Sequence, residues 1–227
     1  GEIIAKLKEI CRKLFTKDNL LISYTANEEG FKELNKEAKK FMAGLYEGGG
    51  ERYPFTWVKG NKNEGFKTSS QVNYVARCGN FRQAGYSYTG ALKILRVMMS
   101  YDYLWINIRV KGGAYGCMSG FGRSGEGYFV SYRDPNLGET NQVYEGVPAY
   151  LENFQADERD MTKFIIGTIS DLDTPLTPSI RGARGLSAYL SGVTQEMMQE
   201  ERDQVLGARP EDIRALAGHV RALLDTG

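Results

Sequence analysis

The chain has 227 residues, 41% hydrophobic and 11% aromatic, enough for one domain with a packed core. Its 29 basic and 28 acidic residues nearly cancel, so no field favours nucleic acid or an anionic membrane. Three widely spaced cysteines, Cys11, Cys78 and Cys117, argue against a disulfide framework and for a reducing compartment. No uncharged apolar run is long enough to span a bilayer. Gly1-Glu2-Ile3 is no signal peptide, and a start inside a helical pattern without Met reads as a fragment boundary.

Ile3, Ile4, Leu7, Ile10, Cys11, Leu14 and Phe15 recur at helical spacing, predicting a first helix ended by Asp18-Asn19. Leu20–Thr25 reads as a short strand. Asn27 can cap a second helix with Phe31, Leu34, Ala38, Phe41, Met42 and Leu45 on one face, stopped by Gly48-Gly49-Gly50. A turn-rich connection follows, with room for a short strand at Phe55–Val58. Lys67–Arg77 reads as a strand that alternates Val72, Tyr74 and Ala76 against Gln71 and Asn73. Thr89–Leu104 is apolar on nearly all sides and predicts a buried helix.

Ala114–Phe121 and Tyr128–Tyr132 flank a glycine-rich turn and should pair as a hairpin. Val143, Val147, Tyr150, Leu151 and Phe154 form a helical stripe, kinked or started late by Pro148. Asp157 caps the next helix. Asp171–Gly185 reads as a long loop, whose length favours a functional or docking role. Helices near Leu186–Gly192, Thr194–Leu206 and Pro210–Leu224 close the chain, the last with Pro in its first turn. Strands early and helices late imply an α+β fold, an antiparallel sheet covered on one face by helices.

Arg109 and Tyr115 stand six apart around Gly112-Gly113. A cationic guanidinium and a neutral phenol can both polarise a carbonyl without removing a proton. An unbroken strand would hold them roughly 20 Å apart, so they converge only if the chain bends, which Gly112-Gly113 permits. Spacing by itself favours the plainer reading, a surface ion pair and a core tyrosine.

Gly120-Phe121-Gly122-Arg123-Ser124-Gly125 matches a dinucleotide fingerprint in letters. A strand follows it where the fingerprint needs a helix, so a hairpin turn is the better reading and a nucleotide site a weak one. His219 is the single histidine, set among Ala215, Leu216, Ala217 and Val220, and a structural role fits it best. A catalytic zinc typically needs three protein ligands plus a water. No cysteines pair at C-x-x-C spacing. Asp171/Asp173 and Glu200/Glu201 read as solvated acids near helix ends.

Ile108–Gly116 (Ile-Arg-Val-Lys-Gly-Gly-Ala-Tyr-Gly), Ser131–Asn136 (Ser-Tyr-Arg-Asp-Pro-Asn), Ile166–Leu176 and Gln71–Ala76 together resemble the C-terminal domain of insulinase/pitrilysin-type zinc metallopeptidases, in the presequence protease branch. The blocks keep their order from roughly residue 17 onward. The resemblance divides the chain into a linker helix over 1–16 and a single C-terminal pitrilysin-like domain over 17–227. It implies a parent enzyme of two halves that enclose a chamber. The N-terminal half would carry an inverted H-x-x-E-H motif that binds zinc, its Glu activating the zinc-bound water. The C-terminal half would supply Arg109 to position substrate and Tyr115 to hydrogen-bond the scissile carbonyl.

H-x-x-E-H is absent here, so the implied zinc belongs to the N-terminal half, and this chain is expected to be inactive alone. The implied partners are that half of the same polypeptide and short unstructured peptides, with no nucleic acid and no membrane. The implied location is the cytoplasm if bacterial, or an organelle matrix. The alternative is a non-catalytic peptide-binding or assembly module of the same fold.

Overall fold

The structure, a computed structural model, describes residues 1–48, 54–56 and 63–227. In chain order its elements are α1 (Glu2–Leu14), α2 (Glu28–Ala43), β1 (Asn73–Asn80), α3 (Ala91–Tyr101), a π-helical stretch Trp105–Lys111, β2 (Gly116–Phe121), β3 (Glu126–Asp134), α4 (Leu137–Glu145), α5 (Val147–Glu152), α6 (Glu158–Leu172), α7 (Pro178–Ser191), α8 (Gln195–Leu206) and α9 (Pro210–Thr226). Short 3-10 turns lie at Lys17–Asn19 and Phe81–Ala84. The elements form two compact units, Gly1–Gly60 with Pro175–Val193, and Asn61–Thr174 with Thr194–Gly227.

The larger unit holds an antiparallel sheet in the order β1-β3-β2. This is the α+β arrangement expected, with helices on one sheet face. On that face Phe129 is fully buried, stacks on Tyr144 of α4 at 5.5 Å and meets Phe121 edge-on at 5.9 Å. Helix α9 runs against β1: Thr226 Oγ1 accepts the Asn80 N–H at 2.8 Å, and Arg77 donates to the Leu224 carbonyl at 3.2 Å. Leu92, Ile94, Leu95, Met98 and Met99 of α3 are all buried, as a helix apolar on nearly every side requires. Each such side chain is worth roughly 1.5–3 kcal/mol of burial.

The other sheet face carries Tyr74, Met118 and Tyr128, at least 40% exposed. On this face Tyr128 and Tyr132 of β3 lie over glycines of β2. A Cβ at Gly116 would come within 2.6 Å of the Tyr132 ring, and one at Gly120 within 2.6 Å of the Tyr128 ring.

In the smaller unit Asn27 caps α2 as expected, its Oδ1 accepting the Gly30 N–H at 3.0 Å. The stripe of α1 forms, but Ile3, Ile4, Leu7, Ile10 and Leu14 remain exposed.

Several expected boundaries move. The first helix ends at Leu14, before Asp18-Asn19, which belong to the 3-10 turn. Leu20–Thr25 forms no strand: none of its residues pairs with another strand among the described residues, and a strand needs a ladder. Helix α2 stops at Ala43 with Gly44 as its cap, four residues before Gly48; Gly49 and Gly50 lie outside the described residues. Of Phe55–Val58, Phe55 and Thr56 are not in a strand, and Trp57 and Val58 lie outside the described residues.

The strand expected at Lys67–Arg77 is shifted to Asn73–Asn80, because its partner β3 ends at Asp134 before Pro135, which has no N–H to donate. The long loop Asp171–Gly185 is not there. Helix α6 reaches Leu172, and α7 already starts at Pro178, where Thr177 Oγ1 caps the Ile180 N–H. Gly146 and Pro148 split the expected single stripe into α4 and α5.

Candidate functional site

Arg109 sits on the π-helical stretch, not on a strand. An i→i+5 turn inserts a residue into the helical ladder and is often found at functional sites. Within the stretch Ile108 alone is buried and anchors it in the core. Gly112 continues the helical backbone (φ −81°), and Gly113 then adopts φ 77°, a left-handed conformation that only glycine takes readily. The expected bend thus falls at Gly113, and it turns the chain back toward β2. Arg109 Nη1 donates to the Tyr115 carbonyl. Its guanidinium lies 5.7 Å from the Tyr115 ring and 4.8 Å from that of Trp105, within cation–π range. Arg109 and Tyr115 therefore do meet. The plainer reading fails at Tyr115, which is 58% exposed rather than in the core.

A third group joins them. Arg133 is the one non-glycine with positive φ (47°) among the described residues, a conformation that costs about 1–2 kcal/mol. The sheet register explains it. Tyr74 pairs with Tyr132 and Asn73 with Asp134, so Arg133 is the extra residue of a β-bulge. Strict alternation would place Arg133 on the buried face with Phe129 and Ser131. The bulge turns it outward, with its guanidinium 5.2 Å from the Tyr115 ring. Arg109, Val110, Gly113, Ala114, Tyr115 and Arg133 line one open cleft of about 510 Å³.

Asp134 holds this arrangement from below. Fully buried, it accepts from Ser131 Oγ (2.6 Å), Thr140 Oγ1 (2.7 Å) and the Asn136 N–H (2.8 Å). Asn136 in turn donates its amide to the Gly112 carbonyl at 2.5 Å. The Tyr115 N–H donates to the Arg133 carbonyl at 3.3 Å. Neither Arg133 nor Asp134 stood out in the sequence as a site residue. The available signal was an acid before Pro-Asn, directly after a strand.

Burial pushes the nearby Cys117 thiol up to about 11, against the pull of the Arg109 guanidinium. Gly122–Gly125 is a hairpin turn, closed by Gly125 N–H to Gly122 O at 3.0 Å. His219 lies 4.7 Å from the Tyr86 ring and 5.4 Å from Phe81, and its Nε2 donates to the Ser87 carbonyl at 2.9 Å. Among the described residues no three His, Cys, Asp or Glu stand close enough to hold a metal.

The acids are not simply solvated. Glu201 is buried and takes hydrogen bonds from Tyr88 Oη and Arg123 Nη2, each at 2.7 Å, fastening the hairpin tip to α8. Asp171 pairs with Arg96 and Asp173 with Arg202. Glu200 accepts from Gln204 at 3.2 Å.

Two solved proteases share the fold. A protease from Helicobacter pylori superposes with a TM-score of 0.58 over 85% of this chain and 49% of its own, at 18% identity. A candidate zinc protease from Bordetella pertussis Tohama I gives 0.50 over 67% of this chain and 89% of its own, at 16% identity. At such identities the likeness shows the fold alone.

The family follows from sequence. The model of the PreP C-terminal domain matches residues 63–225, and the chain belongs to that family, in the presequence protease branch of the insulinase/pitrilysin-type zinc metallopeptidases. Protein HypA of Clostridium perfringens is 42% identical over 96% of this chain and 22% of its own length. Presequence protease 1, chloroplastic/mitochondrial, of Arabidopsis thaliana is 34% identical over 99% of this chain and 21% of its own. The chain spans about a fifth of the length of these curated relatives. No helix among the described residues is long and apolar enough to cross a membrane.

Proposed function

We propose that this chain is the substrate-holding, chamber-closing domain of a zinc metalloendopeptidase that degrades short unstructured peptides. The zinc is bound by an N-terminal half, and this domain has no peptidase activity alone. The domain proper spans 17–227, with 1–16 a linker helix leading into it. Its location is the cytoplasm in a bacterium or an organelle matrix elsewhere; the names of two relatives, chloroplastic/mitochondrial and mitochondrial, support the organelle.

The observation that carries the reading is the convergence of Arg109 and Tyr115 on one open cleft. Tyr115 offers its phenolic O–H to the scissile carbonyl, where the developing oxyanion needs a donor. Arg109 keeps N–H groups beyond the one given to the Tyr115 carbonyl and uses them to position the peptide. Neither residue needs to gain or lose a proton. Tyr115→Phe in the complete enzyme therefore lowers kcat and leaves zinc content unchanged, since it deletes a transition-state contact and not a metal ligand. Unchanged turnover would remove the assignment.

A further inference from the structure

We propose that Arg133, together with Arg109, forms a carboxylate-binding site beside Tyr115. Its ligand is either the C-terminal carboxylate of a bound peptide or an acidic side chain close to the cleavage point. The inference rests on the peptide-holding role given above and specifies which part of a peptide the cleft selects.

Three observations carry it. Two guanidiniums converge on one ring, at 5.7 Å for Arg109 and 5.2 Å for Arg133, and line the same cleft. An anion seated in that cleft is attracted by both cations. Second, neither meets a carboxylate among the described residues, so each keeps donors for an incoming anion. Asp134, the adjacent acid, is turned away and occupied by Ser131, Thr140 and the Asn136 N–H.

Third, the outward position is built. The bulge between Asn73 and Tyr74 and the φ of 47° both serve to take Arg133 off the buried face. The planar guanidinium fork matches the two oxygens of a carboxylate, which a lysine ammonium cannot do as well.

The test uses the complete enzyme and one peptide in three forms. The first has a free C-terminus, the second a C-terminal amide, and the third an Asp beside the cleavage point changed to Asn. kcat/KM is measured for the unsubstituted enzyme, Arg133→Asn and Arg133→Lys. Asn is chosen because it tolerates positive φ, so the loop keeps its path.

The unsubstituted enzyme should favour one carboxylate over its amide by about fivefold or more, read mainly in KM. Arg133→Asn should abolish that preference and Arg133→Lys keep part of it. Whichever amide is disfavoured identifies the source of the carboxylate. Equal losses on all three peptides, or no preference to begin with, would overturn the proposal. The peptide-holding role is judged separately by Tyr115→Phe: a fall in kcat on every peptide preserves that role even if Arg133 proves indifferent to charge.

Discussion

Asp134 has no exposed surface, and both of its oxygens are engaged, by two hydroxyls and a backbone N–H. Its removal leaves the buried Ser131 and Thr140 hydroxyls without their acceptor, each at about 1–3 kcal/mol. Asp134→Ala should therefore destabilise the larger unit by about 2–4 kcal/mol, measured by urea unfolding. It should also loosen the Asn136 clamp on Gly112. A loss below about 0.5 kcal/mol would mean the network does not hold the site.

Legibility was uneven at this scale. Arg109 and Tyr115 stood out through the family motif that contains them; their spacing around Gly112-Gly113 by itself favoured the plainer reading. Arg133 did not, since period-two alternation sends it into the core and the bulge depends on a partner strand some sixty residues earlier. Glu201 looked like half of a solvated acid pair because its partners, Tyr88 and Arg123, are 113 and 78 residues away.

Among elements, the π-helical stretch and the turn after it set the geometry of the cleft. Its two glycines serve different ends. At Gly112 a Cβ would lie 2.6 Å from the Ile108 carbonyl oxygen, so the need is space. At Gly113 the nearest atom would be Pro135 Cγ at an ordinary 3.7 Å, so the need is φ alone. Gly113→Ala should then cost about 1–2 kcal/mol of backbone strain with no packing defect. Calorimetry should show a lower Tm, and kcat should fall as Tyr115 is displaced. An unchanged Tm would contradict the left-handed turn.

Helices with periodic stripes were readable at this level, as was the β2–β3 hairpin. The start of α7 was not, because Thr177-Pro178 reads equally as a loop or as a cap followed by Pro in the first turn. The run before Asn73 looked like a strand in isolation, but β3 has no N–H at Pro135 with which to pair it.

For the molecule as a whole, alkaline pH is an informative probe. Burial raises the phenols of Tyr88, Tyr103, Tyr144 and Tyr150, that of Tyr150 to about 12, with Glu201 adding to the shift at Tyr88. The unfolded chain releases these protons first, near pH 10. Their contribution to stability is complete below about pH 10 and is lost as pH rises through the folded values. Tm should fall above about pH 10, and the tyrosinate signal of these residues should appear only with unfolding. A Tm that stays flat through that range would contradict the burial described.

The class of fold and the family were legible in the sequence because several motif blocks kept their order. The division into two compact units was not, since α7 returns to the smaller unit from far along the chain. The central claim concerns one hydroxyl. It is tested most directly by kcat of the complete enzyme carrying Tyr115→Phe, at zinc content matched to the unsubstituted protein. The account predicts a fall of about a hundredfold with KM little changed, the loss typical of one oxyanion donor. A kcat equal to that of the unsubstituted enzyme would contradict it.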